Sequence, residues 1–264
     1  MTKPDPAIEA QVARLEGATV PKHLAVIPDG NRRWAMNLNK SVVAGHRAGF
    51  EVAKRLSRFC RRIGIHTTTV WAFSTENWRR SSDQVSALME LYLEWIRDLT
   101  PEAIKEEVRV VHLGRLEGVP DEAKAAAEAA GHPDGLPSRL RDAIRQIETD
   151  TAAYDKNVIN LAINYGGADE VQRAVQKLVA RAAAIGKDPA DLDILHFLDT
   201  AGQPHPNPDI LWRTSGEFRS SGFLPLQAAY AEMIFTPKLF PDLAEADVVE
   251  AVEEYSARKR RFGG

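Results

Sequence analysis

The chain has 264 residues, of which 44% are hydrophobic and 27% charged, and its formal net charge is −3 at pH 7. This length allows a sizeable core in one large domain or two small ones, and the composition is that of an ordinary globular protein. A charge so close to balance gives no electrostatic reason to expect a nucleic-acid partner. The single cysteine, Cys60, excludes an intramolecular disulfide and a cysteine-based zinc site.

The first residues are polar and have only a weak helical pattern. They contain no apolar run of signal-peptide length, and no stretch of the chain is long enough to cross a bilayer. We therefore expect a cytoplasmic protein, with a flexible leader over residues 1–20 and one catalytic domain over 21–264.

Strand and helix patterns alternate along the chain. Strands are predicted over 24–27, 66–73, 108–113, 158–163, 209–212 and 233–235, and helices over 45–64, 136–154, 168–184, 188–198 and 245–260. A further helix covers 85–99, with Ser81 and Gln84 as a capping box. The Ala-rich residues 120–135 form either an extra helix or a mobile insertion. This alternation predicts a single α/β domain with a mostly parallel sheet of about six strands flanked by helices.

Polar side chains follow three of these strands, over residues 29–34, 74–80 and 213–221. Each cluster alone is a weak signal, because Asp-Gly-Asn is most often a turn and Arg79-Arg80 most often a solvated helix edge. In a parallel sheet, however, the three clusters meet at one edge, where ligands bind. Their arginines suit diphosphate oxygens, and Asp29 suits a divalent metal. The three clusters together predict a site for a phosphorylated ligand.

Five stretches resemble the cis-prenyltransferase family, typified by undecaprenyl diphosphate synthase, over residues 22–264. They are HLAVIPDGNRRWA, AGHRAG, VWAFSTENWRR, INYGG and ILWRTSGEFRSSGFLPLQAAYAEMIFT. The resemblance implies a domain with a hydrophobic tunnel and a Mg²⁺-dependent transferase. Such an enzyme joins isopentenyl diphosphate to dimethylallyl, geranyl or farnesyl diphosphate and forms a Z-prenyl diphosphate. It also implies a homodimer, with Arg261-Phe262-Gly263 crossing the interface, and peripheral membrane contact if the product is long.

The resemblance also assigns roles to individual residues. Asp29 would handle the metal and assist diphosphate departure, and Asn77 would help remove the proton. Glu232 would be a second metal-associated carboxylate, although its position alone fits an ordinary strand residue equally well. The substrate-binding residues would be Gly30, Asn31, Arg32, Arg33, Trp34, His46, Ser74, Thr75, Glu76, Trp78 and Arg80 around the allylic diphosphate, and Arg213, Arg219, Ser220 and Ser221 around isopentenyl diphosphate.

The chain departs from the family pattern at several positions. Val42 stands where long-chain bacterial members usually carry arginine, Arg32 where many carry glycine, and Leu226 and Phe240 replace tryptophans. The apolar faces of 50–63 and 85–99 would wall the tunnel, although plain core packing has the same periodicity. Bulky residues at 89, 92 and 95 favour a short or medium product over undecaprenyl. Two alternatives stay open: a synthase of branched products or with a non-isoprenoid acceptor, and a non-catalytic partner subunit.

Overall fold

The computed structural model describes residues 6–258. Its helices are α1 (Pro6–Ala13), α2 (Asn31–Asn37), α3 (Val42–Arg62), α4 (Ser82–Lys105), α5 (Lys124–Ala129), α6 (Ser138–Thr151), α7 (Gly167–Ile185) and α8 (Glu245–Ala257). Its strands are β1 (His23–Ile27), β2 (Thr67–Ser74), β3 (Val108–Leu113), β4 (Asn157–Tyr165), β5 (Ile210–Arg213) and β6 (Glu232–Phe235). Short 3-10 turns cover Thr75–Arg79, Asp121–Ala123, Pro189–Asp191, Ile194–Phe197 and Phe240–Asp242.

The six strands form one sheet in the order β3-β4-β2-β1-β5-β6, and every neighbouring pair is parallel. The central strand β1 is buried along its whole length, which accounts for its nearly continuous apolar sequence. Because all strands run in one direction, the segments that follow β1, β2 and β5 meet at the carboxyl edge of the sheet. The predicted α/β fold with a six-stranded sheet is confirmed.

The two faces of the sheet are covered differently. The apolar sides of α3, α4, α6 and α8 pack into one large core on one face. A smaller cluster on the other face packs Phe223 and Leu224 against β1, β4 and β5. The polar clusters at the strand ends therefore rest on a rigid scaffold on both sides.

Two predicted elements are wrong in detail, and the structure decides between the two alternatives left open for residues 120–135. Ser81 forms no side-chain cap, so the predicted capping box is wrong. The predicted helix 188–198 is also wrong, because Asp188 and Asp193 each accept a backbone hydrogen bond two residues on and start separate 3-10 turns. Residues 120–135 are the extra helix rather than a mobile insertion, since α5 lies there with its neighbouring 3-10 turn.

The N-terminal helix packs against the last described helix. Arg14 forms an ion pair with Glu253 at 2.7 Å, and the Thr19 amide donates to the Ser256 hydroxyl at 2.8 Å. The division into a leader over 1–20 and a domain over 21–264 stays a prediction. The proposed dimer motif Arg261-Phe262-Gly263 lies outside the described residues. Between residues 6 and 258, no helix is both long and apolar enough to span a membrane.

Candidate active site

A cleft of about 700 Å³ opens at the carboxyl edge of the sheet. Its walls come from the segments after β1, β2 and β5 and from the first turns of α3. The polar residues that line it are Asp29, Asn31, Arg32, Arg33, His46, Ser74, Glu76, Asn77, Gln84, Arg80, Arg213 and Ser221. The structure therefore brings the three predicted clusters into one site.

The loop that follows β1 is shaped by Gly30 and by a strap from the C-terminal half. Gly30 has φ 102°, a left-handed conformation that favours glycine, and begins α2. A Cβ there would lie 2.9 Å from a methyl carbon of Leu239. The Phe240 amide donates to the Asp29 carbonyl at 3.0 Å. Residues 239–240 thus fix the position of the Asp29 backbone.

The AGHRAG stretch explains how α2 reaches the cleft. A Cβ at Gly45 would lie 2.2 Å from the Asn31 carbonyl oxygen, and one at Gly49 would lie 2.3 Å from the Asn31 side-chain oxygen. Two glycines four residues apart on α3 therefore allow the first turn of α2 to approach closely. The Asn31 amide nitrogen then donates to the Pro28 carbonyl at 3.1 Å.

An ion pair joins the first and third clusters. One nitrogen of the Arg213 guanidinium donates to the Asp29 carboxylate at 2.8 Å, and another donates to the Ser221 hydroxyl at 2.8 Å and to the Arg219 carbonyl at 2.5 Å. Arg213 is buried, whereas the Asp29 side chain is 42% exposed. The carboxylate is held in a defined position and still faces the solvent of the cleft.

Some residues of the 74–80 segment face the cleft and others face the core. Ser74, Glu76, Asn77 and Arg80 line the cleft, and the Asn77 side-chain oxygen accepts the Ser74 amide at 3.2 Å. Thr75 and Trp78 are buried behind them. These two residues, predicted to bind substrate, instead anchor the segment to the core.

The cleft has a positive electrostatic balance. Four lining arginines (32, 33, 80 and 213) oppose two carboxylates (29 and 76), which leaves a net charge of +2. Within residues 6–258, the Arg32 and Arg80 side chains form no hydrogen bond or ion pair with protein groups. Burial, followed by the nearby Arg80, lowers the pKa of His46 to about 4. His46 is therefore neutral at pH 7, and the guanidinium groups supply the positive charge.

Three predicted substrate-binding residues have other partners. The Trp34 indole donates to Asp242 at 2.7 Å, and Lys40 lies 5.0 Å above its ring. The Arg219 side chain pairs with Glu217 at 2.6 Å, so only its carbonyl reaches the Arg213 cluster. The Ser220 hydroxyl accepts the Gly222 amide at 3.4 Å.

Glu232, the second predicted metal ligand, lies at the opposite edge of the sheet. It opens β6 in register with Ile210, which pairs with Leu24. Asp29 lies five residues beyond Leu24, roughly 16 Å away at the usual rise of a strand. Arg258 donates to the Glu232 carboxylate at 2.6 Å. The structure therefore does not bring Glu232 to Asp29 within one chain.

The cleft ends in an apolar part between α3 and β2. Phe50, Ala53, Val70 and Ala72 line it. Phe50 stacks on Trp95 with 4.6 Å between ring centroids. Beyond this stack, a separate void of only about 10 Å³ remains between α3 and α4. Of the residues predicted as a tunnel wall, Phe50 and Ala53 line this apolar part, Trp95 stacks behind Phe50, and most of the others pack in the core.

Some lining residues were not predicted as part of the site. Gln84 was expected only in a helix cap, and Met36 was not singled out. Leu239 lies more than two hundred residues from Gly30 in the chain, and no local pattern connects them. For Gly45 and Gly49, the four-residue spacing was the available signal.

Comparisons with known proteins agree with this geometry. The family described as putative undecaprenyl diphosphate synthase matches residues 27–133 and 124–263. An isoprenyl transferase from Listeria monocytogenes is 38% identical over 252 residues, which cover 94% of this chain and 92% of the relative.

A further relative is named ditrans,polycis-undecaprenyl-diphosphate synthase, specific for (2E,6E)-farnesyl diphosphate, from Lactiplantibacillus plantarum. It is 36% identical over 267 residues, 99% of this chain and 96% of its own. The crystal structure of lavandulyl diphosphate synthase from Lavandula x intermedia, in complex with dimethylallyl diphosphate, aligns with a TM-score of 0.81 and 32% identity. That alignment covers 93% of this chain and 99% of the other.

The chain belongs to the cis-prenyltransferase family. The predicted family and the predicted transferase class are confirmed, and the non-catalytic alternative loses its basis. Family membership implies isopentenyl and allylic diphosphates as the substrates. A cis-prenyltransferase needs two diphosphate sites, and the cleft offers arginines on two sides of Asp29.

Proposed function

We propose that this cis-prenyltransferase condenses isopentenyl diphosphate with an allylic diphosphate in a magnesium-dependent reaction that yields a Z-prenyl diphosphate. The observation that carries the proposal is the shared contact of Asp29 and Ser221 with Arg213, which places the first and third clusters around one reaction centre.

The allylic diphosphate is proposed to lie between α2 and the 74–80 segment. Arg32 and Arg80 face this part of the cleft and have no partners among the described residues, so their donors are available to phosphate oxygens. His46 is neutral beside them and adds a hydrogen-bonding group without charge. The prenyl tail then enters the apolar part between α3 and β2, next to Phe50 and Ala72.

Isopentenyl diphosphate is proposed to bind on the other side of Asp29, at Arg213 and Ser221. The two side chains already form a hydrogen bond with each other, so their positions are set before the ligand arrives. Asn77 lines the cleft with its side-chain oxygen fixed by Ser74, and is proposed to assist the loss of the proton that completes the new double bond.

The cleft fits a bound magnesium ion. Asp29 offers a half-exposed carboxylate, and no group of three or more potential metal-ligating side chains occurs within residues 6–258. Mg²⁺ is commonly held by one or two carboxylates together with substrate phosphates and water, which is what this donor set provides. When bound, the ion neutralises the negative charge that develops on the leaving diphosphate. Asp29 would hold it beside the allylic substrate.

The decisive experiment incubates the purified protein with Mg²⁺, labelled isopentenyl diphosphate and, in separate reactions, dimethylallyl, geranyl or farnesyl diphosphate. We expect label in a prenyl diphosphate with at least one of these primers, and loss of incorporation with EDTA. Absence of incorporation with every primer would reject the proposal. The size of the product, read by chromatography, also decides its chain length.

We propose a short or medium product, because Phe50 and Trp95 close the apolar part of the cleft. Phe50→Ala removes one ring of this stack, and we expect longer products from the variant. Phe59→Ala is the matched control, since Phe59 lies on the same helix, is buried and does not line the cleft. Undecaprenyl diphosphate from the unchanged protein, as the name of the Lactiplantibacillus relative would predict, would contradict the proposal.

A second candidate is the synthesis of branched prenyl diphosphates. The observation in its favour is the alignment with a structure named lavandulyl diphosphate synthase. Incubation with dimethylallyl diphosphate as the only substrate separates the two functions. A branched ten-carbon product would support the second, and product formation only with isopentenyl diphosphate would support the first.

We further propose a cytoplasmic homodimer, with membrane contact only if the product is long. Light scattering after size exclusion measures the oligomeric state. A mass of one chain at micromolar concentration would contradict the dimer.

A further inference from the structure

The 74–80 segment is held from behind by residues that the proposed reaction does not use. Trp78 is fully buried, and its ring packs against Phe73 and His132 at centroid distances of 4.9 and 5.7 Å. Its indole nitrogen donates to the Asn164 side-chain oxygen at 2.8 Å. Because Trp78 lies one residue after Asn77 and two before Arg80, its position determines theirs.

Asn164 connects Trp78 to a second part of the chain. Its amide nitrogen donates to the carbonyls of Arg115 and Gly118 at 3.0 and 2.9 Å. Asn164 is fully buried and has φ 55°, a left-handed conformation that asparagine tolerates better than most residues. The side-chain oxygen of Asn164 thus binds Trp78, and its side-chain nitrogen binds the loop that leads into residues 120–135.

The 120–135 segment closes the same contact from the other side. α5 packs against the Thr75–Arg79 turn, and the small residues Ala127 and Ala130 are buried at that surface. The Ser82 hydroxyl donates to the Ala130 carbonyl at 3.0 Å. His132, which contacts Trp78, also lies 3.4 Å from the Ser86 hydroxyl. The segment is therefore joined to the turn and to the beginning of α4.

The base of this segment is itself fixed. The Gly118 amide donates to the Asp134 carbonyl at 3.0 Å, and a Cβ at Gly135 would lie 2.4 Å from the Gly118 carbonyl oxygen. The two ends of the segment are thus fastened to each other and, through Gly118, to Asn164.

We propose that Asn164 and the 120–135 segment position Asn77 and Arg80 for catalysis, with Asn164 and His132 as the positioning residues. Neither side chain lines the cleft, so both act through Trp78. The inference rests on the proposed function, in which Arg80 binds the allylic diphosphate and Asn77 assists the loss of the proton. Arg213 and Ser221 come from the other side of the cleft and are independent of this contact.

Asn164→Gly tests the hydrogen bonds, because glycine accepts the same backbone conformation and removes only the side chain. We expect kcat/KM for geranyl diphosphate to fall about ten- to a hundredfold, since a displacement of about 1 Å in a catalytic group has effects of this size. The KM for isopentenyl diphosphate stays unchanged. Trp78→Phe, which keeps a ring but loses the donor, changes the parameters in the same direction.

Matched substitutions test the packing. Ala127→Leu places extra volume at the buried surface, whereas Ala125→Leu makes the same change on the exposed side of α5. We expect only Ala127→Leu to raise the KM for geranyl diphosphate. His132→Ala has the same effect, and His132→Phe, which restores a ring beside Trp78, recovers most of the lost activity.

A measurement without turnover separates this inference from the proposed function. Protein labelled with 5-fluorotryptophan gives a ¹⁹F resonance for Trp78, assigned by its loss in Trp78→Phe. We expect this resonance to shift in Asn164→Gly and His132→Ala but not in Ala125→Leu. If the unchanged protein incorporates no isopentenyl diphosphate, the proposed function fails while the resonance still reports on the contact. Unchanged resonances, or equal rises in both KM values, would overturn the positioning role.

Discussion

Two groups of charged side chains lie near the carboxyl edge of the sheet, and they are built in opposite ways. In the cleft, Arg32 and Arg80 have no protein partners within residues 6–258, and Asp29 is partly exposed. Behind the sheet, Arg173 donates to Asp199 at 2.7 and 2.6 Å and to Asp169 at 3.0 Å. The first group has an excess of unpaired charge, and the second is saturated.

The pKa values follow this difference. Burial is the largest single influence on the pKa of Asp199 and raises it, but the hydrogen bonds and charge of Arg173, the charge of Lys177 and the Gly114 amide together outweigh burial, so the pKa is lowered. In the cleft, burial lowers the pKa of Arg80, because no carboxylate contacts it directly. A network of paired buried charges is destabilised when one partner is removed, whereas unpaired cations provide a site for an anion. Substitutions in the two groups should therefore affect different quantities.

Asp29→Ala should have the largest effect, and it should act on the rate. We expect kcat to fall about 1000-fold, roughly 4 kcal/mol in the barrier, because a principal electrostatic group is lost from the reaction centre. Arg213 is buried but keeps its contacts with Ser221 and the Arg219 carbonyl, and the Asp29 side chain is 42% exposed, so the free energy of unfolding should fall by only about 1–3 kcal/mol. Steady-state kinetics and thermal unfolding measure the two quantities.

Asp191→Ala, an exposed carboxylate on the surface, serves as the control and should change neither quantity. A rate for Asp29→Ala within about tenfold of the unchanged enzyme would remove Asp29 from the mechanism.

Arg173→Met should act on the fold instead. The substitution keeps much of the side-chain volume but leaves buried Asp199 without its main partner and removes one of the two arginines that pair with buried Asp169. We expect the free energy of unfolding to fall by about 3–5 kcal/mol, as for other broken buried pairs. The kcat of the folded fraction should stay the same, as measured below the unfolding transition. A loss of kcat without a loss of stability would contradict the expectation that the cleft residues affect the rate and the Arg173 network affects the stability.

Two buried histidines extend the comparison to pH. Burial lowers the pKa of His23, which is remote from the cleft, to about 4, and His46 within the cleft reaches a similar value. The unfolded state takes up a proton first as the pH falls. The stability that each neutral histidine contributes is therefore present above pH 6.5 and is lost between pH 6.5 and 4. The loss is about 3 kcal/mol for each group.

Urea unfolding at pH 7 and pH 5 measures this effect, with His23→Gln and His46→Gln as the variants. Each should flatten the dependence on pH relative to the unchanged protein. A bound anion raises the pKa of His46. Magnesium pyrophosphate should therefore reduce the effect of His46→Gln on the pH dependence of the free energy of unfolding, and it should leave the effect of His23→Gln unchanged. An equal response of both variants would contradict the placement of the anion.

The amino-acid sequence was sufficient to predict the parts of the site that depend on local pattern. Asp29 and Arg213 follow buried strands, and a parallel sheet brings such positions to one edge whatever the connections between them. The direction in which individual side chains point was harder to predict from the sequence. Trp34 is adjacent to the cleft residues in sequence but turns to Asp242, because one residue along a helix rotates a side chain to another face.

Contacts between distant segments had no signal at all. Nothing in the residues around position 132 indicates a contact with Trp78, because the contact depends on how α5 folds back. Glu232 carries a clear resemblance in sequence, but the register of β6 places it at the far edge of the sheet from Asp29 within one chain, so its role as a metal ligand stays a prediction. Pattern predicts where strands end, and only the packed fold determines which side chains meet.

Val42→Arg should have the smallest effect and tests whether the cations of the cleft are already sufficient. Val42 lines the cleft at the beginning of α3, where the added guanidinium can reach a phosphate oxygen. A partly exposed charge contributes about 0.3–1 kcal/mol, so we expect the KM for geranyl diphosphate to fall about two- to fivefold. Val43→Arg makes the same change one residue further on, outside the lining, and should leave this KM unchanged. The difference between the two variants should disappear at high ionic strength, because salt screens exposed charges.

An unchanged KM for Val42→Arg at low salt would mean that the four existing arginines already saturate the bound diphosphate. The excess charge that distinguishes the cleft from the Arg173 network would then be matched to its ligand.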